Sequence, residues 1–179
     1  MSLRARTLAA RSREEDGFGL IELLIAMTVM LVGVLAIFAM FESGLRQLTR
    51  ASNVTTAAAL ADSEMENYRA VLYTAIGMTQ TALDAADPSY TGDTAYRAGG
   101  TNQPNEAVTL GSSSYSPTQT LTGADGRSYR VDTYISWESV QVTGGTFSGR
   151  AVKQITIVVR KDGDDMARVT SSFDQSTGQ

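Results

Sequence analysis

The chain has 179 residues, 42% of them hydrophobic and 19% charged, with no cysteine, no histidine and a formal net charge of -4. Lacking thiolates and imidazoles, it lacks the usual zinc ligands, nucleophiles and neutral-pH proton shuttles, which excludes zinc, haem, iron–sulfur and Ser-His-Asp chemistry and argues against an enzyme. Fifteen Lys plus Arg against nineteen Asp plus Glu leave no electrostatic footprint for a polyanion, so direct nucleic-acid binding is not expected, and no disulfide is possible.

The first seventeen residues, MSLRARTLAARSREEDG, carry Arg4, Arg6, Arg11 and Arg13 ahead of Glu14, Glu15 and Asp16. A positive amino end stays cytoplasmic, so the chain is expected to run N-in, C-out. Residues 23–41, LLIAMTVMLVGVLAIFAMF, contain no charge and are close in length to the hydrocarbon core of a bilayer, which predicts a membrane-inserted helix. Beyond it Glu42, Ser43, Gly44, Leu45 and Arg46 continue a helical pattern and offer no signal-peptidase site.

Glu22 lies one turn into this apolar segment. A charge there costs roughly 3 kcal/mol on insertion scales, so it needs a partner, and the span holds no Lys or Arg. The only cation that can be made nearby is a new α-amino group, produced by cutting between Gly17 and Phe18. Phe18 and Glu22 are spaced i, i+4, which places that amine and the carboxylate on one helix face, each able to meet its own or a neighbour's counterpart.

The stretch GFGLIELLIAM, residues 17–27, resembles the amino-terminal signature of type IV prepilins and type II secretion pseudopilins. The resemblance implies cleavage after Gly17 by prepilin peptidase, N-methylation of Phe18 as the new terminus, and a role for Glu22 in aligning subunits in a filament. Major pilins often carry a proline about two-thirds along the apolar helix, where this chain has Ala39 and its neighbours, and many close a disulfide loop. Both features are missing, which favours a minor pilin or a pseudopilin. The acidic Glu14, Glu15 and Asp16 replace the basic residues often found before the cut.

Small and apolar residues then recur at Leu45, Leu48, Ala58, Ala61, Met65, Tyr68, Leu72 and Ala75, with charges between them, and no proline occurs before Pro88. One helix is therefore predicted over residues 18–76, roughly 90 Å long at 1.5 Å per residue, with Gly77 as its stop. ALADSEMENYRAV, residues 59–71, resembles minor pilins of the PilV type and the pseudopilin I group through Leu60, Ala61, Ser63, Met65, Glu66 and Arg69; the alternative is a generic amphipathic helix with a Glu66–Arg69 ion pair.

Residues 77–127 turn to Thr, Ser, Gly, Asp and Asn and hold all three prolines. They are predicted as mostly loop, with a helical turn at 81–86 and a weak strand at 107–110. Tyr90, Tyr96 and Tyr115 could contact a ligand or a neighbouring subunit there, but covering the core is the better reading. Tyr129, Val131, Thr133, Ile135 and Trp137 alternate with polar residues as a half-buried strand. A second strand carries Val152, Ile155, Ile157 and Val159, with Lys153, Thr156 and Arg160 largely outward, and a third spans 167–173. Asp162, Asp164 and Asp165 are read as a solvated hairpin turn, since their spacing does not match a calcium-binding EF-hand loop.

The expected fold is α+β and type IV pilin-like: one long N-terminal helix, half membrane-embedded and half amphipathic, packed on a small antiparallel meander. The expected division is a cleaved leader (1–17), a membrane and filament-core helix (18–41), its amphipathic continuation (42–77), a loop-rich variable region (78–127) and the meander (128–179). No catalytic, metal or cofactor residue is expected. Expected partners are prepilin peptidase, other pilin subunits through helix packing, the pilus assembly platform protein, and membrane lipid before assembly. The expected location is the cytoplasmic membrane as a single-pass protein, then a surface pilus or pseudopilus. A filament-borne adhesin or receptor module and a permanently anchored surface protein are the alternatives.

Overall fold

The computed structural model describes residues 19–100, 105–138 and 152–175, together with the backbone of 142–143 and 146–147. The chain divides into two compact units, residues 1–47 and 48–179. In chain order the elements are α1 (Leu20–Arg69), a 3-10 turn (Tyr73–Ala75), β1 (Met78–Thr79), α2 (Gln80–Asp84), α3 (Pro88–Thr91), β2 (Thr109–Leu110), β3 (Thr118–Thr122), β4 (Ser128–Trp137), β5 (Val142–Thr143), β6 (Thr146–Phe147), β7 (Val152–Lys161) and β8 (Asp164–Asp174).

The fold is the expected α+β, pilin-like architecture, a long N-terminal helix with its later part packed on an antiparallel sheet. The sheet runs β3-β4-β7-β8, with every neighbouring pair antiparallel. Asn53, Ala57, Ala61, Met65 and Tyr68 are buried on α1, a stripe that advances one turn at a time. Small Ala57 and Ala61 let the helix backbone lie close to the sheet residues of the same core, Tyr129, Val131, Ile155, Ile157 and Val159. The predicted stripe begins too early, because Leu45 and Leu48 are exposed, as is Leu72 at its far end.

α1 also ends sooner than residue 76. Its last α-type bond is Ala70 N–H to Glu66 O, 3.1 Å; Val71 N–H then bonds Tyr68 O at 3.4 Å and Leu72 turns extended. The break leaves Leu72 outside and carries Ile76 into the core, so burial overrides the helical propensity of the segment. Gly77 is not the helix stop. A Cβ there would stand 2.7 Å from Leu110 Cγ, so glycine at 77 permits the close parallel pairing of β1 with β2.

The predicted boundary at 127/128 cuts through a hairpin, since β3 lies in the region expected to be loop. Asp125–Gly126, with Gly126 at φ 73°, and the alternation of Gln119 and Leu121 with threonines are the signal for it. At Gly123 the hairpin approaches α1 so closely that a Cβ would meet Thr56 Cγ2 at 2.5 Å. A second hairpin turn is Asp162–Gly163, both left-handed (φ 54° and 91°), and β8 starts directly at Asp164 rather than at 167.

Candidate functional site

In the 1–47 unit, α1 begins on Gly19, whose carbonyl accepts from the amides of Glu22 (2.9 Å) and Leu23 (3.1 Å). Glu22 is therefore in the first turn, where a carboxylate meets the positive end of the helix dipole. Gly17 and Phe18 lie outside the described residues. Behind Glu22 every residue is exposed through residue 52, so leucines, isoleucines, valines, methionines and phenylalanines point out on all sides of the helix. The helix is long and apolar enough to cross a membrane. Its one hydroxyl in the charge-free run, Thr28, bonds back to Leu24 O (3.0 Å) and Ile25 O (2.8 Å), leaving no donor facing outward. Glu42 pairs with Arg46 one turn later, in the favourable acid-first order, where the uncharged run ends.

A helix with apolar side chains on every face has no solution in water, and its surroundings must be lipid or other helices. Residues 12–38 match the family described as the prokaryotic N-terminal methylation motif. No curated protein and no solved structure matches the chain. The motif implies prepilin-type processing by prepilin peptidase and assembly with other pilin-type subunits, which are structural proteins. Motif and apolar helix together fit membrane anchoring followed by a surface filament.

The 48–179 unit holds polar groups that sequence reasoning placed wrongly. Asp132, expected on the solvated side of a half-buried strand, is fully buried, because residues 87–96 cover that face of the sheet. Its carboxylate accepts from Arg130 Nε (2.9 Å), Thr118 Oγ1 (2.7 Å) and Arg160. Arg160, expected outward, is buried too and also binds Asp93 and, at 2.6 Å, Asp165. Arg168 reaches Asp93 at 2.7 Å, and Arg130 reaches Asp87 at 2.8 Å. Three arginines thus tie the 87–96 segment to the sheet by both ends. Between them Tyr90 stacks on Tyr134 (4.4 Å between centroids) and donates to Thr133 O at 2.8 Å. Tyr96 meets Tyr90 edge-on and Tyr115 lies against Tyr68, so all three loop tyrosines cover the core.

Burial alone would raise the Asp93 carboxyl, but hydrogen bonds from Arg168 and the Ala95 amide and the charges of Arg168 and Arg160 bring it down to about 2. With its folded value below the ordinary 3.8, its contribution to stability is complete above about pH 4 and lost as pH falls through 2. Acid titration of unfolding should therefore show a loss of stability between pH 4 and 2 that Asp93→Asn reduces, the remainder coming from carboxyls such as Asp87 that Arg130 also holds low.

Lys153 is the second misplaced cation. It shares strand parity with Ile155, Ile157 and Val159, and it is buried, donating to Tyr73 O (2.8 Å) and Ile76 O (2.6 Å) below the Tyr73 ring. It joins the Ile76 amide as a donor to Tyr73 O and caps the end of the 3-10 turn at Ile76 O. Burial pushes the ammonium down to about 8. The cost of burying the charge is complete below pH 8 and relieved as pH rises toward the ordinary 10.5, so stability should climb over that window. Lys153→Met is expected to cost about 1–3 kcal/mol by taking the ammonium donor from the buried carbonyls of Ile76 and Tyr73, of which Tyr73 keeps the Ile76 amide, and to flatten that climb in urea unfolding compared at pH 7 and 9.5.

Among the described residues no group of three or more acidic side chains is placed to hold a metal. Asp165 of the acidic turn is instead engaged by Arg160 and Arg168.

Proposed function

We propose that this chain is a minor type IV pilin or a pseudopilin: cut after Gly17, N-methylated on Phe18, and moved by its N-terminal helix from the membrane into a pilus or pseudopilus. The observation that carries this reading is the coincidence of the methylation motif at 12–38 with a helix whose apolar side chains are exposed on every face from Leu20 to Phe41. Such a helix exchanges lipid for neighbouring helices at little cost, since both environments are apolar.

Glu22 supplies register. In the filament core an unpaired carboxylate is expensive, and the amine freed by cleavage is the one cation the sequence can bring to it, so a subunit docks stably only where Glu22 meets a neighbour's terminus. Arg4, Arg6, Arg11 and Arg13 keep the leader on the cytoplasmic side, where the peptidase works on it and the assembly platform protein receives the mature helix.

The test is the mass and amino-terminal sequence of the membrane-extracted protein. A mature chain beginning at methylated Phe18 is expected. A functional protein that still begins upstream of residue 18 sinks the proposal.

A further inference from the structure

We infer that the two edges of the sheet are complementary halves of one contact, in which β3 of a second copy of this chain adds to the C-terminal half of β8. The inference rests on the pseudopilin form of the reading above, in which copies of this chain are neighbours, because a polar filament repeats its subunits in one orientation and needs a heterologous contact.

The topology supplies the first argument. Each pair in β3-β4-β7-β8 is antiparallel, so the two edge strands run in opposite directions. A second copy in the same orientation therefore presents its β3 antiparallel to β8, and the alternation continues across the junction. Two copies joined β8 to β8 would have to face opposite ways, which a polar filament forbids.

The second argument is the uneven protection of the β8 edge. Its first half is blunted by Asp164, Asp165 and Arg168 and by the irregularity at Val159/Arg160, where the pairing skips Met166. Its second half, Val169, Thr170, Ser171, Ser172, Phe173 and Asp174, has no cation and no proline, and Thr170 and Ser172 are exposed. β3 is Thr-Gln-Thr-Leu-Thr, uncharged and matched in length to that half, and Thr120 and Thr122 are exposed.

A cavity of about 310 Å³ adjoins the same half, lined by Val71, Tyr73, Ile76, Ser171 and Phe173 among others. With Thr120 of the second copy opposite Ser172, its Leu121 falls opposite Ser171 and shares the strand face of Ser171 and Phe173, which line the cavity. Within one subunit β3 is level with the blunted half, since Thr120 pairs with Arg130, Arg130 with Arg160 and Arg160 with Asp165. The second copy must therefore be displaced along the strands by roughly 20 Å. The charged half of β8 blocks a flat, in-register ribbon and leaves a staggered step, as a helical assembly requires.

The chain has no cysteine, so engineered thiols report without background. Opposed residues of antiparallel strands lie within disulfide reach. Full-length Thr120→Cys and Ser172→Cys chains, overproduced together and assembled, are expected to give disulfide-linked dimers after mild oxidation of sheared filaments. Neither variant alone should do so, and the double variant should give a ladder. Thr170→Cys, two residues away on the same face, checks the register. Filaments that contain the chain but give no dimer with either position, or dimers from Ser172→Cys alone, overturn the contact. Failure of the unmutated chain to enter filaments overturns the functional reading, and the contact with it.

Discussion

Asp132→Ala is expected to destabilise the 48–179 unit by about 3–5 kcal/mol, the usual cost of removing one member of a buried ion network while its partners remain. Asp132 is fully buried and, alone among the described carboxylates, binds both Arg130 and Arg160. Its loss takes one of three carboxylates from the Arg160 guanidinium, whose side chain is only 11% exposed, and leaves the hydrogen bonds of Arg130 Nε and Thr118 without their acceptor. Chemical denaturation of the detergent-solubilised full chain, followed by the fluorescence of its single tryptophan, Trp137, measures the change. Adding Arg160→Met should recover part of it, since an apolar replacement of both partners leaves no buried charge unpaired. A single variant as stable as the parent would mean that water reaches the site.

Glu22→Ala should leave cleavage and membrane insertion intact and reduce incorporation into filaments at least tenfold, equivalent to the loss of about 1.4 kcal/mol per docking step. The substitution makes the helix more apolar, so insertion into lipid is, if anything, easier. What is lost is the charge that selects a docking position against a neighbour's amine. Glu22→Gln, which keeps the shape and removes the charge, should behave like alanine; Glu22→Asp should retain part of the function. Immunoblots of sheared filaments against membranes read the ratio. Wild-type incorporation of Glu22→Ala would contradict the proposed role.

The membrane half of α1 was legible because its signal is local and redundant: nineteen consecutive uncharged residues in 23–41 admit few structures. The cores of β4, β7 and β8 were legible for the same reason, through period-two alternation. β3 is hard to read from sequence although Asp125–Gly126 marks its hairpin, because its threonines and its one leucine carry little hydrophobic contrast against a Thr- and Ser-rich background. The early end of α1 had no local signal at all. The 73–76 turn that follows it is held by Lys153, some eighty positions away, which donates to the carbonyls of Tyr73 and Ile76.

From its sequence alone this chain determines a long apolar helix behind a processing motif, and strands that follow, because each rests on neighbours a few residues apart. Only the tertiary structure decided where the charges of the sheet go. Arg160 and Lys153 read as solvated by residue type, yet both are buried, because Asp93 and the 73–76 turn arrive from distant parts of the chain to satisfy them. A buried charge is stable only with its partners, and residue type and strand alternation did not disclose partners that lie far along the chain.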